Sequence, residues 1–294
     1  MLSYPIPSRS RYTLRMPPMR PLNFRLVPWL VAGLVLASAG LALAQFRSRG
    51  FDVLGSGSGL APRQFPDRDF AICRLMYTEG QRFAGGWRTD YPTGDRNLSI
   101  RFGELTKTRV STARDGSRNH YLVRITDDQL FQCPFVIAGD VGSIEITPVE
   151  AERLRAYFLK GGFLWTDDMW GDDEFEIWAD QIAKVLPPSE YPIEDIPLSD
   201  PIFRSQYNVD HMPQIPNYPH WSNNSGDTSE RGDYSRVPMF KAIRDKHGRI
   251  MVAMTVNTDI ADAWERESFN GYFQLFSPIG YGFGVNVLLH ALTH

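Results

Sequence analysis

The sequence predicts an α/β domain: a mostly parallel sheet with helices on both faces, a long loop insertion and a hairpin toward the carboxyl end. Three observations predict it. Short apolar runs recur without the alternation of a half-solvated strand, as strands covered on both faces require. Segments of helical period lie between them with their own start and stop signals. Strand and helix alternate along the chain, the order of a layered α/β fold.

Residues 70–77 (FAICRLMY) are the first expected strand, and a helix is expected from near Asn97 (NLSIRFGELTKT). Residues 134–139 (PFVIAG) form the next strand. Thr147 and Glu150 have capping-box spacing, and Pro148 sits at the first helical position. Ala151, Leu154 and Phe158 then line one face until Gly161-Gly162 stops the helix. Residues 162–166 (GFLWT) are the third strand. Phe175, Trp178, Ala179 and Ile182 mark another helix, which must end before Pro187-Pro188. The segment 187–238 is rich in Pro, Asn, Ser and Asp and lacks periodicity, so it reads as the loop insertion. Residues 240–256 form the hairpin, turning at Asp245-Lys246-His247-Gly248, and its second arm (IMVAMTV) is the fourth apolar run. A last helix is expected over 283–293. There is no internal repeat.

At 294 residues, 43% apolar and 22% charged, the chain is neither disordered nor a multi-span membrane protein. Two cysteines exclude a disulfide scaffold and a multi-cysteine zinc site. Five of the 31 basic residues and none of the 34 acids fall in residues 1–44, so the remainder carries a net charge of −8. An acidic body of that kind is a poor partner for nucleic acid.

Residues 1–44 have the three parts of a secretory signal: a basic start, the uncharged run 26–44, and Ala42-Leu43-Ala44 before Gln45. Met16 or Met19 as the start would leave a leader of ordinary length. The run is also long enough for an uncleaved membrane anchor, although Pro28, Gly33, Ser38 and Gly40 weaken it as a helix. Either outcome puts the body outside the cytosol, in the periplasm or attached to the membrane. No adjacent Arg pair precedes the apolar run, which argues against the twin-arginine route. Residues 45–69, with Gly55-Ser56-Gly57-Ser58-Gly59, read as a flexible linker, and 70–294 as a single domain.

Several blocks in collinear order carry a family resemblance: LSIRFGELT, RAYFLKGGFLWTDDMWG, DPIF, GRIMVAMTVNTDIADAWERE and GVNVLLHALTH. Over nearly all of 70–294 the sequence resembles the bacterial family catalogued as domain of unknown function 4159. The resemblance implies a flavodoxin-like domain similar to class I glutamine amidotransferases, exported or membrane-attached, and supplies no mechanism. Those enzymes carry a nucleophilic Cys on a tight turn between a strand and its helix. Here the turn after GGFLWT reads Thr166-Asp167-Asp168-Met169-Trp170-Gly171, with no Cys. Cys73 and Cys133 lie in apolar patterns where a thiol is inert. Glutamine hydrolysis through a thiolate is excluded. The two cysteines pair only if their strands are neighbours in an oxidising compartment; buried free thiols are the expectation here.

Open α/β sheets bind ligands at the carboxyl ends of their strands. Two acidic clusters fall there: Asp167-Asp168 with Trp170, and Asn257-Thr258-Asp259 with Asp262, Trp264 and Glu265. Crowded carboxylates raise one another's pKa, which serves acid–base chemistry, or they supply hard oxygen ligands to a divalent cation. Asp172 and Asp173 open a helix and are explained by its free N–H groups. Trp87, Tyr91, Trp170, Trp221 and Trp264 fall outside periodic segments, and rings beside carboxylates hold sugars or peptides, unless they pack into the core. The stretch 85–92 (GGWRTDYP) is expected to form a third wall of the same cleft. The candidate ligand set is therefore Trp87, Tyr91, Asp167, Asp168, Trp170, Asn257, Asp259, Asp262, Trp264 and Glu265. His290 and His294 share a helical spacing but lack the Glu of a zinc-protease motif. No G-x-S-x-G elbow, phosphate-binding loop or dinucleotide fingerprint is present. No cofactor is expected beyond a possible divalent cation. The expected function is an envelope protein that binds a small ligand, a glycan or a partner protein without turning it over. The alternative is an extracytoplasmic hydrolase using Asp167 or Asp168, with or without a divalent cation.

Overall fold

The computed structural model describes residues 58–80 and 85–294. The leader and the first part of the expected linker lie outside the described residues. In chain order the strands are β1 (Ser58–Leu60), β2 (Ile72–Leu75), β3 (Thr78–Glu79), β4 (His120–Val123) and β5 (Phe135–Gly139), then β6 (Ile144–Glu145), β7 (Phe163–Asp167), β8 (Ile193–Asp195), β9 (Met239–Arg244) and β10 (Ile250–Val256). The helices are α1 (Thr93–Thr106), α2 (Pro148–Leu159), α3 (Gly171–Val185), α4 (Tyr218–Asn223), α5 (Asp262–Glu265) and α6 (Asn270–Thr293). Eight strands form one sheet in the order β1-β4-β2-β5-β7-β10-β9-β8. The first six are parallel; β9 and β8 add antiparallel at one edge. The fold is the mixed α/β arrangement that the apolar runs predict, flavodoxin-like as the family resemblance implies.

Alternation along the strands explains why those runs are unbroken. Cys73, Leu75, Val136, Ala138 and Leu164 point to one face, where α2 and α3 cover them with Leu154, Phe158, Trp178 and Ile182. Ile72, Phe135, Ile137, Phe163 and Trp165 point to the other, beneath Leu98 and Phe102 of α1 and Phe283, Val285 and Leu288 of α6. Both faces are dry, so both parities are apolar.

Local signals set the elements. Thr147 accepts the Glu150 N–H while the Glu150 carboxylate accepts the Thr147 N–H at 2.9 Å, so the capping box starts α2 as expected. The hairpin β9–β10 closes at Asp245, whose N–H donates to the Arg249 carbonyl at 2.8 Å. Beyond it and the short α5 comes α6, which begins at Asn270 and not near Phe283. Glycines obscured that start. A Cβ on Gly284 would stand 2.6 Å from the Trp264 ring, and one on Gly280 2.6 Å from Ala263, so close packing on α5 excludes better helix formers. Helix α6 is long and apolar enough to cross a bilayer, yet 61% of its apolar window is buried.

Free thiols are not found. Cys73 and Cys133 form a disulfide with Cα atoms 6.1 Å apart. The crossover order makes β2 and β5 neighbours, with Cys73 beside Val136, and this brings Cys133 within reach. The insertion 187–238 holds only β8, α4 and 3₁₀ turns, as its composition implies.

Candidate functional site

Strands β2, β5, β7 and β10 are consecutive and parallel, so their carboxyl ends open on one rim. The chain leaves β2 toward β4 on one side and β5 toward β7 on the other. That reversal is the switch point where open sheets form a crevice. Asp140 follows β5, Asp168 follows β7, Asn257 follows β10, and the loop after β2 delivers Asp90. All four take left-handed backbone angles, with φ of 62° at Asp90, 50° at Asp140, 61° at Asp168 and 60° at Asn257. Asp and Asn tolerate that region best among residues with a side chain, and such strain gathers at functional rims.

The crevice is a cleft of about 610 Å³ lined by Asp90, Asp140, Asp168, Glu174, Glu230, Asp259, Asp262 and Glu265. Among the described residues only Arg231 and Arg266 bring positive charge to its wall. Arg231 reaches Glu174 at 2.8 Å, and Arg266 reaches Glu265 at 2.8 Å and Asp262 at 3.3 Å. Backbone N–H groups hold several acids in place: Gly86 donates to Asp140 at 2.7 Å, Asn217 to Glu230 at 2.7 Å, and Tyr218 to Asp262 at 2.6 Å. The Asp262 N–H in turn donates to Asp259 at 3.0 Å. Trp170 closes one side, its Nε1–H donating to Asp168 at 2.8 Å. The loop that carries Asp90 is anchored by Arg74, whose guanidinium is buried with Asp95 and donates to the Thr89 carbonyl at 3.1 Å.

Crowding shows in the acidities. Burial, then the neighbouring Asp262, pushes Asp90 well above the carboxylate range, although Arg74 opposes it. Burial and then Asp90 do the same to Asp168 and to Asp259. Burial raises Asp140 to about 6 against the Gly86 N–H, and Glu230 to about 7 against the Asn217 N–H and Arg231. Two arginines do not offset eight carboxylates, so protons stay on the wall near neutral pH. A larger hollow of about 810 Å³ lies at the amino ends of the strands, beside Phe65, Arg68 and Arg109. There the acids have partners, with Asp69 paired to Arg109 and Asp67 accepting from the Ser111 hydroxyl, and the switch-point rule favours the smaller cleft.

Of the residues expected from sequence, Asp168, Trp170, Asp259, Asp262 and Glu265 line this cleft. Five do not. Asp167 is sealed under it, accepting from the Thr255 hydroxyl and from the Ala261 N–H at 2.8 Å. Asn257 ties the rim together, accepting from Gly171 N–H and donating to the Val237 carbonyl, each at 2.8 Å. Trp264 is fully buried, its ring edge-on to Trp165 at 5.5 Å, because α5 turns it into the core. Trp87 and Tyr91 pack into the hydrophobic core behind the loop, with ring centroids 6.0 Å apart. The stretch 85–92 does form a wall, through Thr89 and Asp90. Asp140, which directly follows the PFVIAG strand, was reachable by the rule that found Asp168. Glu174 lies in the first turn of α3, where an acid has a helix-end explanation. Glu230 and Arg231 come from the insertion, where no pattern marks them.

Fold and site together define an α/β protein with an acid-lined cleft at the carboxyl ends of parallel strands. The family model for the Domain of unknown function (DUF4159) matches residues 71–292, and the chain belongs to that family. A search of the curated proteins gives no match.

Proposed function

We propose that this chain is an extracytoplasmic binding protein whose acidic cleft takes a positively charged ligand without turning it over. The ligand class is a small amine or a basic segment of an envelope partner. The charge imbalance carries the reading: eight carboxylates face two arginines, and among the described residues no lysine, histidine, cysteine or serine lines the wall. Such a wall attracts cations, and its one hydroxyl among the described residues is that of Thr89, with no histidine on the lining to activate it. A glycan fits less well, since among the described residues Trp170 is the one aromatic ring left on the lining once Trp87, Tyr91 and Trp264 are in the core. Asp168 occupies the strand–helix turn where an amidotransferase would carry its thiol. This fits a domain related to those enzymes in fold and separated from them in chemistry. The leader of residues 1–44 and the Cys73–Cys133 bridge both support an oxidising compartment outside the cytosol.

Thermal melting of the full-length chain with spermidine, an Arg/Lys-rich peptide and neutral peptidoglycan fragments tests the reading. The cations should raise Tm, and added NaCl should shrink the effect. A rise with the neutral fragments alone would overturn it. One observation favours a second reading, hydrolysis. Burial beside Asp90 and Glu230 keeps Asp168 protonated at the cleft, as a general acid requires. Asp168→Asn separates the two. Lost turnover with binding intact supports the hydrolase; a changed affinity alone supports the binding protein.

A further inference from the structure

We infer that the floor of the cleft is a divalent-cation site formed by Asp90, Asp259 and Asp262, with a fit to calcium. This rests on the acidic-cleft reading above and adds the occupant of its deepest point. The three ligands come from separate segments: the loop ahead of α1, the turn after β10, and the start of α5. One carboxylate oxygen from each lies within 4.8 Å of the other two. Two oxygens on the same ion stand no farther apart than twice the metal–oxygen distance, about 4.6–5.2 Å for calcium and about 4.0–4.2 Å for magnesium. Within that bound small shifts of the carboxylates close the triad on calcium, and magnesium asks for a closer approach. An all-carboxylate set is hard, which favours calcium, magnesium or manganese over zinc or copper.

Acids cluster on many proteins without an ion, and a second observation is what points to one here. Among the described residues Oδ2 of Asp90 is sealed from solvent and has no hydrogen-bond partner, in a residue only 7% exposed. A buried carboxylate oxygen without a donor is costly, and native folds rarely leave one. The nearby donors are already engaged. Arg74 serves Asp95 and the Thr89 carbonyl. Arg266 serves Asp262 and Glu265. The N–H groups of Asp262 and Tyr218 hold Asp259 and Asp262 in place. Two ligands are thus positioned by backbone donors and the third, Asp90, carries an oxygen with no donor among the described residues, an arrangement that a cation completes.

The test is a calcium titration of the full-length chain, stripped with chelator, followed by calorimetry and melting. A Kd of about 10⁻⁴–10⁻³ M is expected, the span of extracellular sites. Asp90→Asn and Asp259→Asn should each weaken it at least about tenfold while the protein melts cooperatively in chelator. Glu190→Gln, an exposed carboxylate outside the cleft lining, should keep affinity within about threefold. Wild-type affinity in both triad variants overturns the site, as does the absence of any calcium response above matched NaCl. Spermidine or the basic peptide separates the two claims. If either binds while calcium does not, the cation site fails and the charged-ligand reading stands. If neither they nor calcium bind, both fail.

Discussion

Two groups of buried charge lie under the same rim. In one, Arg74 grips Asp95 through Nε and Nη2, and its remaining donor meets the Thr89 carbonyl; both side chains are 1% exposed. In the other, Asp90, Asp259 and Asp262 share a small space, and one oxygen has no donor among the described residues. The first group is matched atom for atom and serves as architecture, holding the loop that presents Asp90. The second is unmatched and reads as a place for a ligand. The adjacent Asp167 and Asp168 repeat the contrast within one turn. Asp167 has Thr255 and the Ala261 N–H as donors and is inaccessible, whereas Asp168 lines the cleft.

The comparison breaks most visibly at Arg74. Arg74→Met leaves Asp95 buried without its partner and should cost about 3–5 kcal/mol in urea denaturation at neutral pH. A loss below about 1 kcal/mol would mean that the matched pair is not structural. Asp167→Asn is the next largest. It turns an amide donor toward one of two existing donors and should cost about 1–3 kcal/mol. Its effect on ligand affinity should be small, because no ligand reaches Asp167.

A smaller, signed effect comes with pH. In the folded state Asp140 holds its proton to about 6 and Glu230 to about 7, above their ordinary carboxylate values. The stability each contributes is complete below its unfolded pKa and is lost as pH rises through the folded one. Burial lowers His290 to about 4, which works in the opposite sense, but only below about 6.5, where the unfolded imidazole takes up its proton. Between pH 6.5 and 8 the acids act alone. In chelator, Tm should fall by about 3–6 °C across that window, the shift of about 1–2 kcal/mol in a domain of this size. Glu230→Gln should flatten the slope, and a Tm that climbs with pH would contradict the assignment.

The parallel sheet was legible because dry faces on both sides leave unbroken apolar runs such as PFVIAG and IMVAMTV. Strand β4 was not, since HYLV is too short to stand out, and the start of α6 was hidden by packing glycines. Within the site, the strand-end rule located Asp168, Asp259, Asp262 and Glu265. It missed Asp140, which the same rule reaches, and it over-read Asp167 and Trp264. Asp167 is still the last residue of β7, paired with Gly139, so its side chain turns inward. Trp264 sits among acids in DAWE, which conceals a helix whose buried side faces α6. Glu230, Arg231 and the Cys73–Cys133 pairing depend on how distant segments meet, and local pattern carries no record of that.

The most direct measurement is the melting temperature of Asp90→Asn beside wild type in chelator at pH 8. Removing a charge that repels Asp259 and Asp262 should leave Tm unchanged or raise it, by up to about 4 °C, against the usual loss for altering a buried polar group. A fall of more than about 4 °C would mean that the Asp90 carboxylate already has what it needs, and the contrast between matched and unmatched charge would fail.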